Sequence, residues 1–175
     1  MSIVFRTTED FLASVRTDLR RPHVFAHERV GFVTVRATAT EQSLILLAQS
    51  YHPVADADYV QAKGVGAMIG QEALRKALEI ALLNPVGIFH VHMHDFPGPL
   101  WFSGIDLREQ LRFMPDFFKV RSTMPHGALV LGPRSMAGRV WLASDRIEHI
   151  TEFNSIGLGI RVSRSGKDGV VDDYA

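Results

Sequence analysis

The sequence of 175 residues contains no cysteine. This absence excludes disulfide bonds, thiolate metal ligands and a cysteine nucleophile, so any metal here must be held by nitrogen and oxygen. Neither charge is in excess, because nineteen basic residues balance nineteen acidic ones without a basic arm or an acidic tail. A main partnership with nucleic acid is therefore not expected.

Long apolar runs are also absent. No stretch approaches the ~20 apolar residues that a membrane-spanning helix needs. The first residues, MSIVFRTTEDFLASVR, place acids and arginines where a signal peptide would be apolar. The expectation is a soluble, cytoplasmic protein with no membrane partner.

The hydrophobic pattern indicates one α/β domain over residues 1–163 and a polar, loose tail over 164–175. Thr7 is predicted to cap a first helix that Pro22 ends. VGFVTVRAT and SLILLAQSY are typical of two strands joined by a hairpin, and a second helix is predicted over Gly66–Leu83. Further elements are predicted in this order: a loop over 51–65, a strand VGIFHVHMH after the second helix, a helix starting at Leu107, strands GALVLG, GRVWLAS and IGLGIRVS, and a less regular run RIEHITEF.

Three histidines alternate with apolar residues at the end of the strand VGIFHVHMH. Side chains two apart on a strand share a face, so His90 and His92 are predicted to project together as half of a metal site. His94 continues the alternation, and a site built from all three histidines is conceivable if the strand remains straight.

Ser103 and Asp106 follow a short loop and fall on the first turn of the next helix. If Asp106 turns back toward His90 and His92, three protein ligands leave a fourth position for water, as in a catalytic zinc site. The alternative is structural, since Ser-x-x-Asp is also a common pair for capping a helix.

Glu28 is the candidate for the carboxylate that takes a proton from water at such a site. It stands just before the VGFVTV strand, whereas the other glutamates considered lie on polar helix faces or in a turn. The alternative for Glu28 is an exposed loop acid beside Arg29.

Five features follow one another along the chain: a glutamate before Gly31-Phe32, a strand pair, an amphipathic helix, His90-x-His92 and Ser103-x-x-Asp106. The order of these features resembles that of the JAMM metalloproteases, particularly the bacterial JAB-domain branch. The match extends over about residues 25–145. The resemblance implies a JAB/MPN-type, cytidine-deaminase-like fold of α+β type, with three layers and a mixed central sheet flanked by helices. It also implies His90, His92 and Asp106 as ligands of Zn²⁺, Glu28 as general acid and base, and Ser103 as a residue that stabilises the oxyanion.

The implied activity is a zinc metallopeptidase or isopeptidase acting at the C-terminal tail of a ubiquitin-like protein or its conjugates, with E1-like and E2-like proteins as possible partners. Two alternatives stay open: a catalytically silent MPN-type scaffold, and a peptidase of small peptide conjugates. The stretch HVHMHD also resembles the HxHxDH motif of metallo-β-lactamase-like hydrolases with its last two residues exchanged, but the further metal ligands of that family have few candidates here.

Overall fold

The computed structural model describes residues 1–95, 100–166 and 169–171. Within these residues the chain forms ten strands and three α-helices. The strands are β1 (Ser2–Thr8), β2 (Val30–Ala39), β3 (Ser43–Pro53), β4 (Gly87–Met93), β5 (His126–Leu131), β6 (Met136–Ala143), β7 (Arg146–His149), β8 (Glu152–Ile156), β9 (Ile160–Gly166) and β10 (Gly169–Val171). The helices are α1 (Glu9–Leu19), α2 (Gln71–Leu83) and α3 (Gly104–Val120).

All ten strands belong to one mixed sheet, in the order β10-β9-β8-β1-β3-β2-β4-β5-β6-β7. β1 runs parallel to both β3 and β8, and β4 runs parallel to β5. The remaining neighbours are antiparallel. The predicted combination of helices with a mixed sheet is confirmed.

Helices pack against both faces of this sheet. α1 buries Leu12, Val15 and Leu19 in a cluster with Phe5 and Phe89. α2 and α3 pack on the opposite face, in a second cluster that includes Ala77, Phe117 and Trp141. Burial of these apolar surfaces on two sides holds β2 and β4, which carry the candidate site, in the middle of the molecule.

The N-terminal part differs from the sequence prediction. Residues 2–8 form β1, which the sequence analysis missed, and Thr7 belongs to this strand with its side chain buried. Thr8 caps α1 instead, because its Oγ1 accepts a hydrogen bond of 3.1 Å from the Phe11 N–H. The predicted cap at Thr7 is therefore wrong by one residue.

The strand pair β2–β3 and its hairpin are confirmed, whereas the second helix begins later than predicted. α2 starts at Gln71, and residues 59–69, which we call the cavity loop, precede it. The cavity loop folds back on itself through a bridge between Tyr59 and Ile69 and a bond from the Val60 N–H to the Met68 carbonyl. The apolar positions before Gln71 therefore belong to a loop and not to the helix.

In the C-terminal half the predicted strands GALVLG and GRVWLAS correspond to β5 and β6, and the irregular run RIEHITEF forms β7 and the start of β8. IGLGIRVS was predicted as one strand, but Ile156 ends β8 and β9 begins only at Ile160. Part of the predicted tail belongs to β9 and β10, and the rest of it lies outside the described residues. No helix in the described part of the chain combines the length and apolarity needed to cross a membrane.

His126 joins α3 to the sheet at the start of β5. Its Nδ1 accepts a hydrogen bond of 3.1 Å from the Ile88 N–H, and its Nε2 lies 3.0 Å from the Arg121 carbonyl, to which it donates. The ring stacks on Phe117 at 5.3 Å between centroids. Burial lowers the pKa of His126 to about 4, so the imidazole is neutral in the folded protein near pH 7.

Candidate metal centre

Strand register brings the histidines of β4 next to the start of β2. Val30 pairs with His92 in the antiparallel ladder, so Glu28, two residues before Val30, lies across from His94. The His94 N–H donates to the Leu131 carbonyl at 2.9 Å, which extends the pairing of β4 with β5 past Met93. His94 is therefore held by the sheet although it lies just beyond β4.

Three side-chain atoms from β4, its extension and α3 form a small triangle. Nε2 of His92 lies 3.2 Å from Nε2 of His94. Oδ2 of Asp106 lies 3.5 Å from the first nitrogen and 3.9 Å from the second. Zinc bonds of 2.0–2.2 Å at tetrahedral angles separate neighbouring ligand atoms by roughly 3.3–3.6 Å. The triangle is thus close to the size that one zinc ion requires.

Glu28 lies beside this triangle. Its carboxylate and the imidazoles of His92 and His94 offer ligand atoms that all lie within 4.8 Å of one another. Burial raises the pKa of the Glu28 carboxyl, His92 lowers it, and the negative charge of Asp106 raises it further. A carboxylate with a raised pKa beside a metal site is suited to accepting and returning a proton.

Ser103 and Asp106 form a capping box at the start of α3. The Ser103 N–H donates to Oδ2 of Asp106 at 2.7 Å, and the Asp106 N–H donates to Oγ of Ser103 at 3.1 Å. Burial acts to raise the pKa of Asp106, but His92 and the bonds from Ser103 outweigh it and hold this pKa well below its usual range. Asp106 is therefore both a structural cap and an ionised carboxylate that faces the histidines.

His90 occupies a different environment from the other two histidines. Its ring lies 5.8 Å from that of Phe32 and 5.5 Å from that of Phe113. Burial lowers the pKa of His90 to about 3. Among the described residues, the group of ligand atoms within 4.8 Å consists of Glu28, His92 and His94, so it includes neither His90 nor Asp106, and the place of Asp106 rests on its distances to His92 and His94.

Gly66, in the cavity loop, approaches Glu28 closely. A Cβ atom at this position would lie 2.6 Å from both Cδ and Oε2 of Glu28. The Gly66 carbonyl accepts hydrogen bonds from the N–H groups of His27 and Glu28, at 2.8 and 3.0 Å. The cavity loop thus holds the backbone of Glu28 and leaves room for its carboxylate only because residue 66 has no side chain.

Two cavities meet at the site. The first, of about 550 Å³, lies between the cavity loop, the start of α2 and α3, and it reaches Glu28 and all three histidines. The second, of about 660 Å³, lies beside the end of α1 and also reaches Glu28 and His94. An extended chain that crosses the site would therefore find space on both sides.

The structure brings together Glu28, His92, Ser103 and Asp106 of the residues predicted from the sequence, and it adds His94. The signal for His94 was its place in the alternation. A second signal was the shorter distance in sequence to Ser103. Eight residues separate His94 from Ser103, whereas ten residues separate His92 from Ser103. Four of the eight, residues 96–99, lie outside the described residues.

No protein-family model matches this chain, and neither does any curated protein.

Proposed function

We propose that this chain is a zinc-dependent hydrolase of amide or isopeptide bonds, of the JAMM type. One observation carries the proposal: two imidazole nitrogens and a carboxylate oxygen lie 3.2–3.9 Å apart, with a second, partly buried carboxylate, that of Glu28, beside them. Two histidines and one carboxylate form a known ligand set of catalytic zinc.

In this proposal His92, His94 and Asp106 hold the zinc ion, so His94 replaces His90 in the ligand set that the resemblance implied. The distances above favour this set, and the chain offers nitrogen and oxygen donors only. Bound zinc supplies a Lewis acid that polarises a carbonyl and makes water more acidic.

Glu28 acts as general base and then as general acid. Its carboxylate takes a proton from the attacking water and returns it to the leaving amine, a role that its raised pKa favours. The bonds from the N–H groups of His27 and Glu28 to Gly66 fix the backbone from which the carboxylate projects. Positioning of this kind matters because proton transfer needs hydrogen-bond reach.

Ser103 stabilises the oxyanion of the tetrahedral intermediate. Its Oγ accepts a bond from the Asp106 N–H, and this leaves its own hydroxyl proton to donate. A donor aimed at the developing negative charge lowers the barrier more than it strengthens substrate binding. The capping box therefore supports catalysis and does not compete with it.

The proposed substrate is the C-terminal tail of a ubiquitin-like protein or its conjugate, with E1-like and E2-like proteins as partners in the cytoplasm. Support comes from the two cavities that meet at Glu28 and His94, because an extended tail can enter one and leave through the other.

Glu28→Gln tests the proposal. The variant should bind zinc as the wild type does but lose cleavage of a ubiquitin-like tail fused through an amide to a fluorophore. Glu79→Gln on α2 is the matched control, since Glu79 is an exposed helix residue paired with Arg75. Undiminished turnover by Glu28→Gln would refute the assignment.

A further inference from the structure

Gln110 carries a buried amide group. It lies on α3 one turn after Asp106, is only 1 % exposed, and lines the first cavity. Neither Oε1 nor Nε2 of its carboxamide has a hydrogen-bond partner in the described part of the protein. Buried polar atoms are nearly always paired, so an unpaired carboxamide at a cavity indicates a partner that arrives from outside.

His90 contributes a second polar group to the same cavity. It is partly buried, lines the cavity, and makes ring contact with Phe113, which lies three residues after Gln110 on α3. Ile69 and Leu74 add apolar surface to the lining. The lining thus combines apolar surface with polar and charged side chains, among them Glu109, Arg112 and Asp116, and convergent polar groups of this kind are typical of a binding site.

We propose that Gln110, in a cavity that His90 also lines, is a recognition site for an uncharged amide of the substrate. A carboxamide presents one acceptor oxygen and two N–H donors, and its full complement is another amide. A carboxylate pairs only with the N–H groups and leaves Oε1 unpaired, while an ammonium group pairs only with Oε1. The amide belongs either to the peptide backbone or to an Asn or Gln side chain of the substrate.

This inference rests on the proposed function, because that function makes the ligand a part of the substrate. The binding itself is measured without turnover. In protein labelled with ¹⁵N, the side-chain N–H signals of Gln110 are followed during titration with N-acetylglycine methylamide, acetamide and acetate. The first probe presents the N–H and the carbonyl of one peptide residue on the same side, the second imitates an Asn or Gln side chain, and the third has the size of acetamide with a negative charge.

Both amide probes should shift the Gln110 signals in a saturable manner, with acetate about tenfold weaker or more. A preference for N-acetylglycine methylamide assigns the site to the backbone of the substrate, and a preference for acetamide assigns it to a side chain. Gln110→Met lacks these signals, so its binding is followed through the backbone N–H signal of Phe113, and it should bind the amide about tenfold more weakly. Gln71→Met makes the same change at an exposed position of the same cavity and should have no effect.

Acetate binding as strong as acetamide, or amide titrations that leave the Gln110 signals unmoved, would overturn the inference. Because the wild-type signals report directly, the outcome does not depend on the stability of Gln110→Met. Amide binding in a protein that cleaves nothing refutes the proposed function alone. Cleavage without amide binding at Gln110 refutes this inference alone.

Discussion

Replacing Gly66 with alanine should displace Glu28, the proposed general base, without touching the proposed metal ligands. The added Cβ would lie 2.6 Å from Cδ and Oε2 of Glu28, where ordinary contact begins near 3.4 Å. Either the carboxylate or the cavity loop must therefore move by about 0.8 Å. Misplacement of a catalytic group by about 1 Å can reduce turnover on the order of a hundredfold.

The assay combines kcat, KM, zinc content and thermal unfolding. We expect Gly66→Ala to lower kcat by about a hundredfold while KM and zinc stoichiometry stay near the wild-type values. Gly159→Ala is the control, because nothing lies within 4 Å of a Cβ built there. Wild-type kcat in Gly66→Ala would refute the reasoning, and so would a loss of zinc that accompanies the loss of turnover.

Two further predictions concern the capping box and the acid stability of the fold. Ser103→Ala and Thr8→Ala each remove a helix cap and should each lower the free energy of unfolding by about 1 kcal/mol. Only Ser103→Ala should also reduce kcat, by about a hundredfold. Equal turnover in the two variants would contradict the proposed role of Ser103. His126 has a folded-state pKa of about 4, below the unfolded value of about 6.5, so the unfolded state binds more protons between these values and stability falls as pH decreases from 6.5 to 4. The loss of unfolding free energy amounts to about 3 kcal/mol and should be much smaller in His126→Gln, as denaturant unfolding at several pH values would show. Equal dependence of the unfolding free energy on pH in both proteins would refute the lowered pKa of His126.

Much of the fold could be predicted from local patterns. The alternation in VGFVTV and the long apolar run of β3 indicated the central hairpin correctly, and the apolar stripe indicated the body of α2. β1 was missed because SIVFRTT passes directly into a helix. Its place between β3 and β8 depends on pairing with residues about 40 and 148 positions away, which no local pattern shows.

The candidate site was likewise predicted where local sequence patterns determine it, and not where tertiary contacts do. Spacing along β4 placed the alternating histidines on one face, and the Ser-x-x-Asp pattern indicated the start of α3. Which histidines face Asp106 depends on where β4 ends relative to α3 and on the bond from His94 to Leu131. The closeness of Gly66 to Glu28 likewise arises only when the cavity loop folds over β2.

The most direct test of the central claim is the zinc content of three proteins after dialysis at neutral pH: the wild type, His94→Ala and His90→Phe. If His92, His94 and Asp106 hold the ion, the wild type and His90→Phe should each retain one zinc per chain, and His94→Ala should lose it. Retention of zinc by His94→Ala, together with its loss from His90→Phe, would contradict the account.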